Sequence, residues 1–431
     1  MLDKEKPLGR NASKPLPAWG FLVGQAALTG INALTGFVLV RGLTKDDYAT
    51  YSLTFSLLAI AINASNMGLT SAALGIGGRV WPDAWALRSV LNSAQQLRNR
   101  ISAILALPFA AYCAWQLPHI GLGVFDTALL TALVLIAAWV QMQANFYAIA
   151  LQLGRALTAL LRNDLASAAL KLGGALLMVL LGWPVWAIIG WIVLCLWANY
   201  RAHVHSAQPL LANYSDTDDA SLREMQSLVR ANVLRTLYWS FEGQITILLC
   251  AWFASAERLA DVGALGRLSV LFGIFQAFVA NYTLPDLARA RTPEHVLRQA
   301  LRTLAAASLL LMPILLWAAL HPPSLLWILG PHYANLTAHL LPFLLASAIG
   351  QLAAVAYQIC TARAWLALNR YYVALALPWQ ALLIYVLDMR QIENVILFAG
   401  LNNLFFLAFN AAMFLASWRQ FLRDSAAETR P

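Results

Sequence analysis

The sequence predicts an all-α polytopic membrane protein of about 12 transmembrane helices, in two six-helix halves around a central cavity. Three observations carry this. Of 431 residues, 60% are hydrophobic and 11% charged, against roughly 45 to 50% and about 25% in soluble domains. Apolar runs long enough to cross about 30 Å of hydrocarbon recur along the chain. Lys and Arg collect on alternate connections between those runs.

In chain order the spans cover residues 18 to 40, 50 to 74, 101 to 118, 126 to 150, 164 to 182, 184 to 202, 233 to 253, 262 to 284, 302 to 320, 336 to 361, 371 to 388 and 393 to 416. The first lacks a small-residue cleavage site before its charged turn, which predicts a retained span rather than a signal peptide. That turn, Arg41 to Asp47, is too short for a domain and too charged for lipid, so it forms the tip of a helical hairpin. A tight turn at Gly182 to Pro184 joins the fifth and sixth spans. The longest break runs from Arg201 to Asn232, with Pro209 and the acidic residues Asp216, Asp218 and Asp219. It divides the chain into an N-terminal half (1–204), a cytoplasmic linker (205–232) and a C-terminal half (233–431).

Basic residues in short loops resist translocation, so their distribution sets the orientation. With a cytoplasmic amino terminus, 23 of the 29 Lys and Arg residues fall inside, Arg98 and Arg100 among them, and four fall outside: Arg41, Lys45, Arg258 and Arg390. Lys171 and Arg267 lie within spans. Both termini are therefore expected in the cytoplasm. Six spans per half is an even number, so the halves share one orientation, as parallel repeats would.

The net charge of +9 does not indicate nucleic acid, because the basic residues are scattered between apolar runs rather than clustered on a soluble face. Cys113, Cys195, Cys250 and Cys360 each sit in a different apolar run, without a CxxC pair, and read as buried free thiols. His203 and His205 read as solvated loop residues without the partners a metal site needs. No Walker loop, GxGxxG turn or GxSxG elbow is present, so hydrolysis has no visible home and the chain is not read as an enzyme.

Three patches carry a family resemblance. The first is Arg41-Gly-Leu, then Tyr48-Ala-Thr-Tyr51-Ser-Leu53, then Met67-Gly-Leu69. The second is Phe253 to Leu265 followed by Leu284 to Arg289; setting Tyr48-Ala49 against Val262-Gly263 repeats the first at an offset of 214 residues. The third is Leu329-Gly-Pro-His-Tyr-Ala-Asn-Leu-Thr-Ala338. In these the chain resembles the polysaccharide-repeat-unit flippases (O-antigen and exopolysaccharide, Wzx-like) of the multidrug/oligosaccharidyl-lipid/polysaccharide (MOP) exporter superfamily. The resemblance implies a transporter that moves an undecaprenyl-diphosphate-linked oligosaccharide across the bacterial inner membrane by alternating access, for lipopolysaccharide or exopolysaccharide biosynthesis. It also implies no cofactor, coupling to a proton or sodium gradient, and polysaccharide polymerase machinery as a partner. Where many relatives carry an Asp-Arg pair in the seventh span this chain has Thr246-Ile247, so no role of that pair is transferred.

The alternative from another class is a membrane-embedded polysaccharide polymerase or ligase. Such enzymes need a sizeable external loop, whereas the longest outside connection, His321 to Asn335, carries no Asp, Glu, Lys or Arg. A major-facilitator transporter would share the layout, but Gly75 to Asp83 does not fit its loop pattern.

Ionisable groups at membrane depth are costly and mark candidate sites. Lys171 lies about 10 Å from the cytoplasmic end of the fifth span, on one face with Asp164 and Ser167. It either snorkels or pairs with Asp164, or it faces the cavity and meets the diphosphate, with Arg41 or Arg267 serving the outward-facing stage. Small neighbours Ala168, Gly174 and Ala175 would admit another helix or a bulky head group. Glu242, read as the only acid deep in a span, is either an ion-coupling group or a structural partner for Lys171 or an arginine. Arg267 reads as lying near the outer end of its span. Two amide pairs, Asn63 with Asn66 and Gln141 with Asn145, either link helices or line a sugar-binding cavity.

Overall fold

The computed structural model describes residues 18–211, 217–278, 287, 292–363 and 365–428. The amino-terminal segment, Asp216, the eighth span beyond residue 278, the Leu284 to Arg289 motif apart from Leu287, and Arg430 lie outside the described residues. No strand occurs among those described, and each of the twelve predicted spans falls on a helix. Among the described residues, eight helices are long and apolar enough to cross a membrane by length and composition.

The first hairpin is tighter than its charged turn suggests. Helix α1 (Ala18–Gly42) is followed almost at once by α2 (Lys45–Asn66). Thr44 makes this possible: its hydroxyl oxygen accepts from the Asp47 backbone N–H at 3.2 Å and its O–H donates to the Asp47 carboxylate at 2.8 Å. An orphan donor of the first turn is thus satisfied locally. The predicted second span is broken. Met67 and Gly68 adopt positive φ (42° and 78°), and α3 (Leu69–Val80) starts afresh. The Asn66 carboxamide oxygen accepts from both the backbone N–H and the hydroxyl of Thr70, at 3.1 and 2.8 Å, which makes the break tolerable.

Helix α4 (Ala84–Gln116) starts well before its apolar run, so most of the predicted cytoplasmic stretch from 79 to 100 is helical; Asp83 caps it through the Trp85 and Ala86 N–H groups. After α5 (Val124–Leu153), α6 (Leu157–Leu180) and α7 (Val185–Ala207) form the second tight hairpin, closed at Gly182 with φ 65°. The turn brings the two helices back antiparallel, so that residues progressively farther from it on one helix meet residues progressively farther on the other. Trp191 Nε1 donates to the Leu170 carbonyl (3.1 Å), Ser167 Oγ to the Cys195 carbonyl (3.2 Å), and Asn163 Nδ2 to Ser206 Oγ (3.0 Å).

The predicted seventh span is α8 (Asp219–Glu242) and α9 (Ile245–Phe253), separated at Gly243-Gln244. Helix α10 is Ala256–Phe278. Next come α11 (Pro293–Leu320), α12 (Pro322–Leu329), α13 (Thr337–Ala362), α14 (Tyr372–Val386) and α15 (Ile392–Glu428). The predicted outer connection from 321 to 335 is therefore largely helical, with Gly330 (φ 102°) ending α12.

Packing divides the chain at Trp252 and Phe253, later than the sequence division at 233, because α8 packs against α2, α3 and α4. In the first unit α1 packs on α6, α6 on α7, and α5 on α7 and α2. In the second, α13 packs on α15 and α11. Asn403 and Asn410 of α15 donate to the carbonyls of Ala346 and Ala353 of α13, at 2.9 and 3.3 Å. The equal seven-residue steps mean that these helices run parallel, and Gly350 leaves room for the Asn403 carboxamide. The four cysteines are buried and free.

Helix α8 depends on its start. The Asp218 carboxylate accepts from the Ala220 and Ser221 N–H groups and from the Ser221 hydroxyl, while its own N–H donates to Ser93 Oγ of α4 at 2.8 Å. The Ser221 hydroxyl and these N–H groups hold the Asp218 carboxyl below the usual carboxylate range. A depressed folded-state value adds stability above the unfolded value of about 3.9, which is lost as pH falls through the folded one. Asp218→Ala is expected to cost about 1 kcal/mol in α8, read as faster amide exchange near its N-terminus. The difference from wild type should persist at neutral pH and shrink below about pH 4.

Candidate functional site

The polar groups of the first unit fall into a seam and a cavity. The seam lies where α6 meets α1 and α7. Lys171 is half-buried, and its Nζ donates to Asn32 Oδ1 of α1 at 3.1 Å. It does not pair with Asp164, although the two share a face. Seven residues separate them by about 10 Å of helical rise, and each finds a nearer partner. For Asp164 the partners come from α7: Asn199 Nδ2 donates to its carboxylate at 3.1 Å, and His203 Nε2 lies 3.4 Å away. His203 is therefore not a solvated loop residue. It is 3% exposed inside α7, while His205, two residues on, points outward. Ala168 and Ala175 are fully buried, and Gly174 is covered by the Trp191 indole, so the small-residue face of α6 receives a helix.

The cavity, of about 500 Å³, lies within the same unit between α2, α4, α5 and α8. Its walls are mainly apolar, with Ala61, Ala103, Ala106, Leu135, Met142 and Leu237 among them. Polar atoms come from Ser65, Asn99, Ser102, Tyr112 and Trp139.

Behind Asn99 stands Arg98, which sequence reasoning placed in a cytoplasmic segment. It is 0% exposed, near the middle of α4. Its guanidinium lies 5.1 Å from the Phe146 ring centroid, and Nη2 donates to Asn99 Oδ1 at 2.6 Å. Nε and Nη1 meet no acceptor among the described residues. A hydrogen bond to a charged group contributes about 1.5 to 3 kcal/mol and a cation–π contact about 0.5 to 2. That is of the same order as the several kcal/mol needed to take the charge from water, so Arg98 is held in place without being neutralised.

The other predicted residues are more dispersed. Asn63 is exposed and Asn66 is engaged at the α2–α3 break; the cavity face of α2 is Ile60, Ala61, Ala64 and Ser65. Gln141 Nε2 donates to Asn145 Oδ1 at 3.1 Å, and neither lines the cavity. Arg41 is exposed in the last turn of α1. Glu242 is the half-buried last residue of α8, beside the cavity-lining Phe241. Arg267 is half-buried, and because α10 begins at Ala256 it lies about 16 Å along the helix rather than near its outer end. Asp261, on the same helix, is 6% exposed, so Glu242 is not the only acid inside a span.

No protein-family model matches the chain, and a comparison with curated proteins yields no match. Solved structures do match. The lipid II flippase MurJ in an inward closed conformation aligns with a TM-score of 0.70 at 10% identity, over 93% of this chain and 89% of that one. An inward-facing multidrug resistance MATE family transporter of the MOP superfamily aligns at 0.66 and 13%, over 95% and 100%. A MOP superfamily transporter from Pyrococcus furiosus aligns at 0.61 and 14%, over 95% of each. The chain thus has the two-lobed helical membrane fold of MOP transporters. Specificity for a polysaccharide repeat unit is a finer matter than this likeness.

The α6–α7 seam gives a direct test of the packing that holds Lys171. A Cβ at Gly174 would overlap the Trp191 indole, which is fixed through Nε1 to Leu170. Gly174→Ala is expected to destabilise the protein by about 1 to 3 kcal/mol, seen as a lower melting temperature in detergent. Trp191→Ala in the same background should recover part of the loss by making room.

Proposed function

We propose that this chain is a flippase carrying a lipid-diphosphate-linked oligosaccharide, with undecaprenyl as the lipid, across the bacterial inner membrane by alternating access, for surface polysaccharide biosynthesis. The observation that carries the reading is the state of Lys171. A cation inside a span makes its hydrogen bond to a neutral amide, Asn32, and no carboxylate among the described residues forms an ion pair with it. An intramembrane charge that makes no ion pair among the described residues suits an anionic ligand. A diphosphate is the part common to all such cargoes, whatever their sugars, and an ammonium on a flexible stem can follow it as it moves.

The fold shared with a lipid II flippase supports a lipid-linked cargo. Arg267, deep in α10, and Arg41, at the end of α1, are the cations proposed for the outward-facing stage. Glu242, at the break between α8 and α9, is proposed as the group through which a proton or sodium gradient is coupled. The amide pairs are weaker candidates for sugar contact, since Asn66 caps α3 and Gln141 binds Asn145. Polymerase machinery is the expected partner, and both termini are placed in the cytoplasm. A polymerase or ligase draws less support, because the outer connection from 321 to 335 folds largely as helix and holds no Asp, Glu, Lys or Arg.

The test is a charge series at one position, read by mass spectrometry of polyprenyl-linked glycans accumulating in cells that depend on each variant. At matched expression Lys171→Arg should keep partial transport. Lys171→Gln should lose about tenfold or more, equivalent to about 1.4 kcal/mol, and Lys171→Glu more still. Wild-type transport by Lys171→Glu would remove this lysine from the cargo's path.

A further inference from the structure

The cavity of the first unit has a direction. Along α4 it runs from Asn99 through Ser102, Ala103 and Ala106 to Phe109 and Tyr112, about 20 Å of helical rise. Asn99 stands at the boundary between two unlike stretches of that helix. Before it come Arg88, Gln95, Gln96 and Arg98; after Arg100 the helix continues from Ile101 to Trp115 without a single Asp, Glu, Lys or Arg. A membrane lipid has the same division, with a polar head at one level and a hydrocarbon tail beyond it. The cavity's polar end also has a defined sense. Arginine offers only donors, so the carboxamide oxygen of Asn99 turns toward Arg98, and Asn99, exposed and lining the cavity, keeps its NH₂ as a donor. Behind that NH₂ stands a fully buried guanidinium with two nitrogens lacking acceptors among the described residues. Such an end receives an acceptor, and preferably an anion.

We infer that this cavity binds the lipid carrier of the cargo, with the first isoprene units of the prenyl chain along the apolar face of α4 and the diphosphate at Asn99, backed by Arg98. A volume of about 500 Å³ falls in the range, roughly 300 to 1,000 Å³, of sites that enclose a small ligand. The site is separate from the Lys171 seam, which lies on α1, α6 and α7. It therefore holds the carrier at a second station, where the diphosphate meets Asn99 with the Arg98 charge buried behind it, and the tail lies along apolar side chains. The inference rests on the lipid-diphosphate reading of the function, and it assigns Asn99 as a contact and Arg98 as the buried charge behind it, neither of which the sequence singled out as a site residue.

The experiment uses the full chain in nanodiscs with farnesyl diphosphate carrying a photoreactive diazirine in its chain, and locates the label by peptide mass spectrometry. Label is expected on α4 and α5, around Ala103, Ala106 and Met142. Unlabelled farnesyl diphosphate should compete, whereas farnesol, inorganic diphosphate and phosphatidylglycerol should not. Ala106→Phe, which fills the cavity, should weaken labelling about tenfold while melting like wild type, and Asn99→Leu should weaken it likewise with a lower melting temperature, because Arg98 then loses its hydrogen-bond acceptor. Arg98→Gln should do the same where it folds. Label elsewhere, or label unaffected by Asn99→Leu and Ala106→Phe, would overturn the inference. Competition by farnesol would show a site for hydrocarbon alone, and competition by phosphatidylglycerol would make the occupant bulk lipid; either outcome refutes the carrier. Flipping by the wild-type protein, measured in parallel, separates the two readings: transport with label elsewhere sinks only this inference, and cavity label without transport sinks only the proposed function.

Discussion

Hydrocarbon offers no hydrogen bonds and stabilises no charge, so every backbone group and every ionised side chain within the membrane must be satisfied by the protein itself. Most of this structure follows from that constraint. Segments that cross are helical, connections such as Leu43-Thr44 and Leu181 to Pro184 are short, and α2, α4 and α8 start on side-chain caps from Thr44, Asp83 and Asp218. Where a helix breaks inside a span, at Met67-Gly68, Asn66 bridges the gap to Thr70. Asparagines do similar service between helices, as Asn403 and Asn410 show in the second unit. These bonds are individually modest, of the order of 1 kcal/mol. Their value is that the alternative is an unpaired group in lipid.

The same constraint gives the exceptions their meaning. Asp164 is half-buried 3.4 Å from the buried His203 and accepts from Asn199, so this carboxylate lies beside polar partners of its own. Lys171 and Arg98 differ, because each makes its hydrogen bond to a neutral carboxamide, from Asn32 and Asn99 respectively, with no ion pair among the described residues. Two cations of the first unit are thus positioned without being neutralised. The anionic reading is the one that these two side chains favour.

Much of the fold was legible because its signals are long and redundant. Apolar runs locate the helices even where their boundaries err, and the turn at Gly182 brings α6 and α7 back antiparallel. That arrangement also made the Asp164–His203 pairing readable, had the sixth span been carried past residue 202. Arg98 escaped for a related reason. Counting basic residues as loop markers assigns any charge ahead of an apolar run to the cytoplasm, yet α4 continues unbroken through Arg98 and buries it on the face turned to Phe146. The start of α10 was placed too late for the same reason, which moved Arg267 outward and left Asp261 in a loop. The cavity itself could not be read, since it is lined by residues of four helices that are far apart in sequence.

The central claim is that unneutralised cations in the first unit serve the diphosphate of a lipid carrier. It is tested most directly with purified protein in liposomes, by comparing the flipping rates of two lipids that share prenyl chain and sugar, one joined through a diphosphate and the other through a neutral ether. The account predicts rapid, protein-dependent movement of the diphosphate lipid and only background movement of the ether. Equal rates for the two would contradict it.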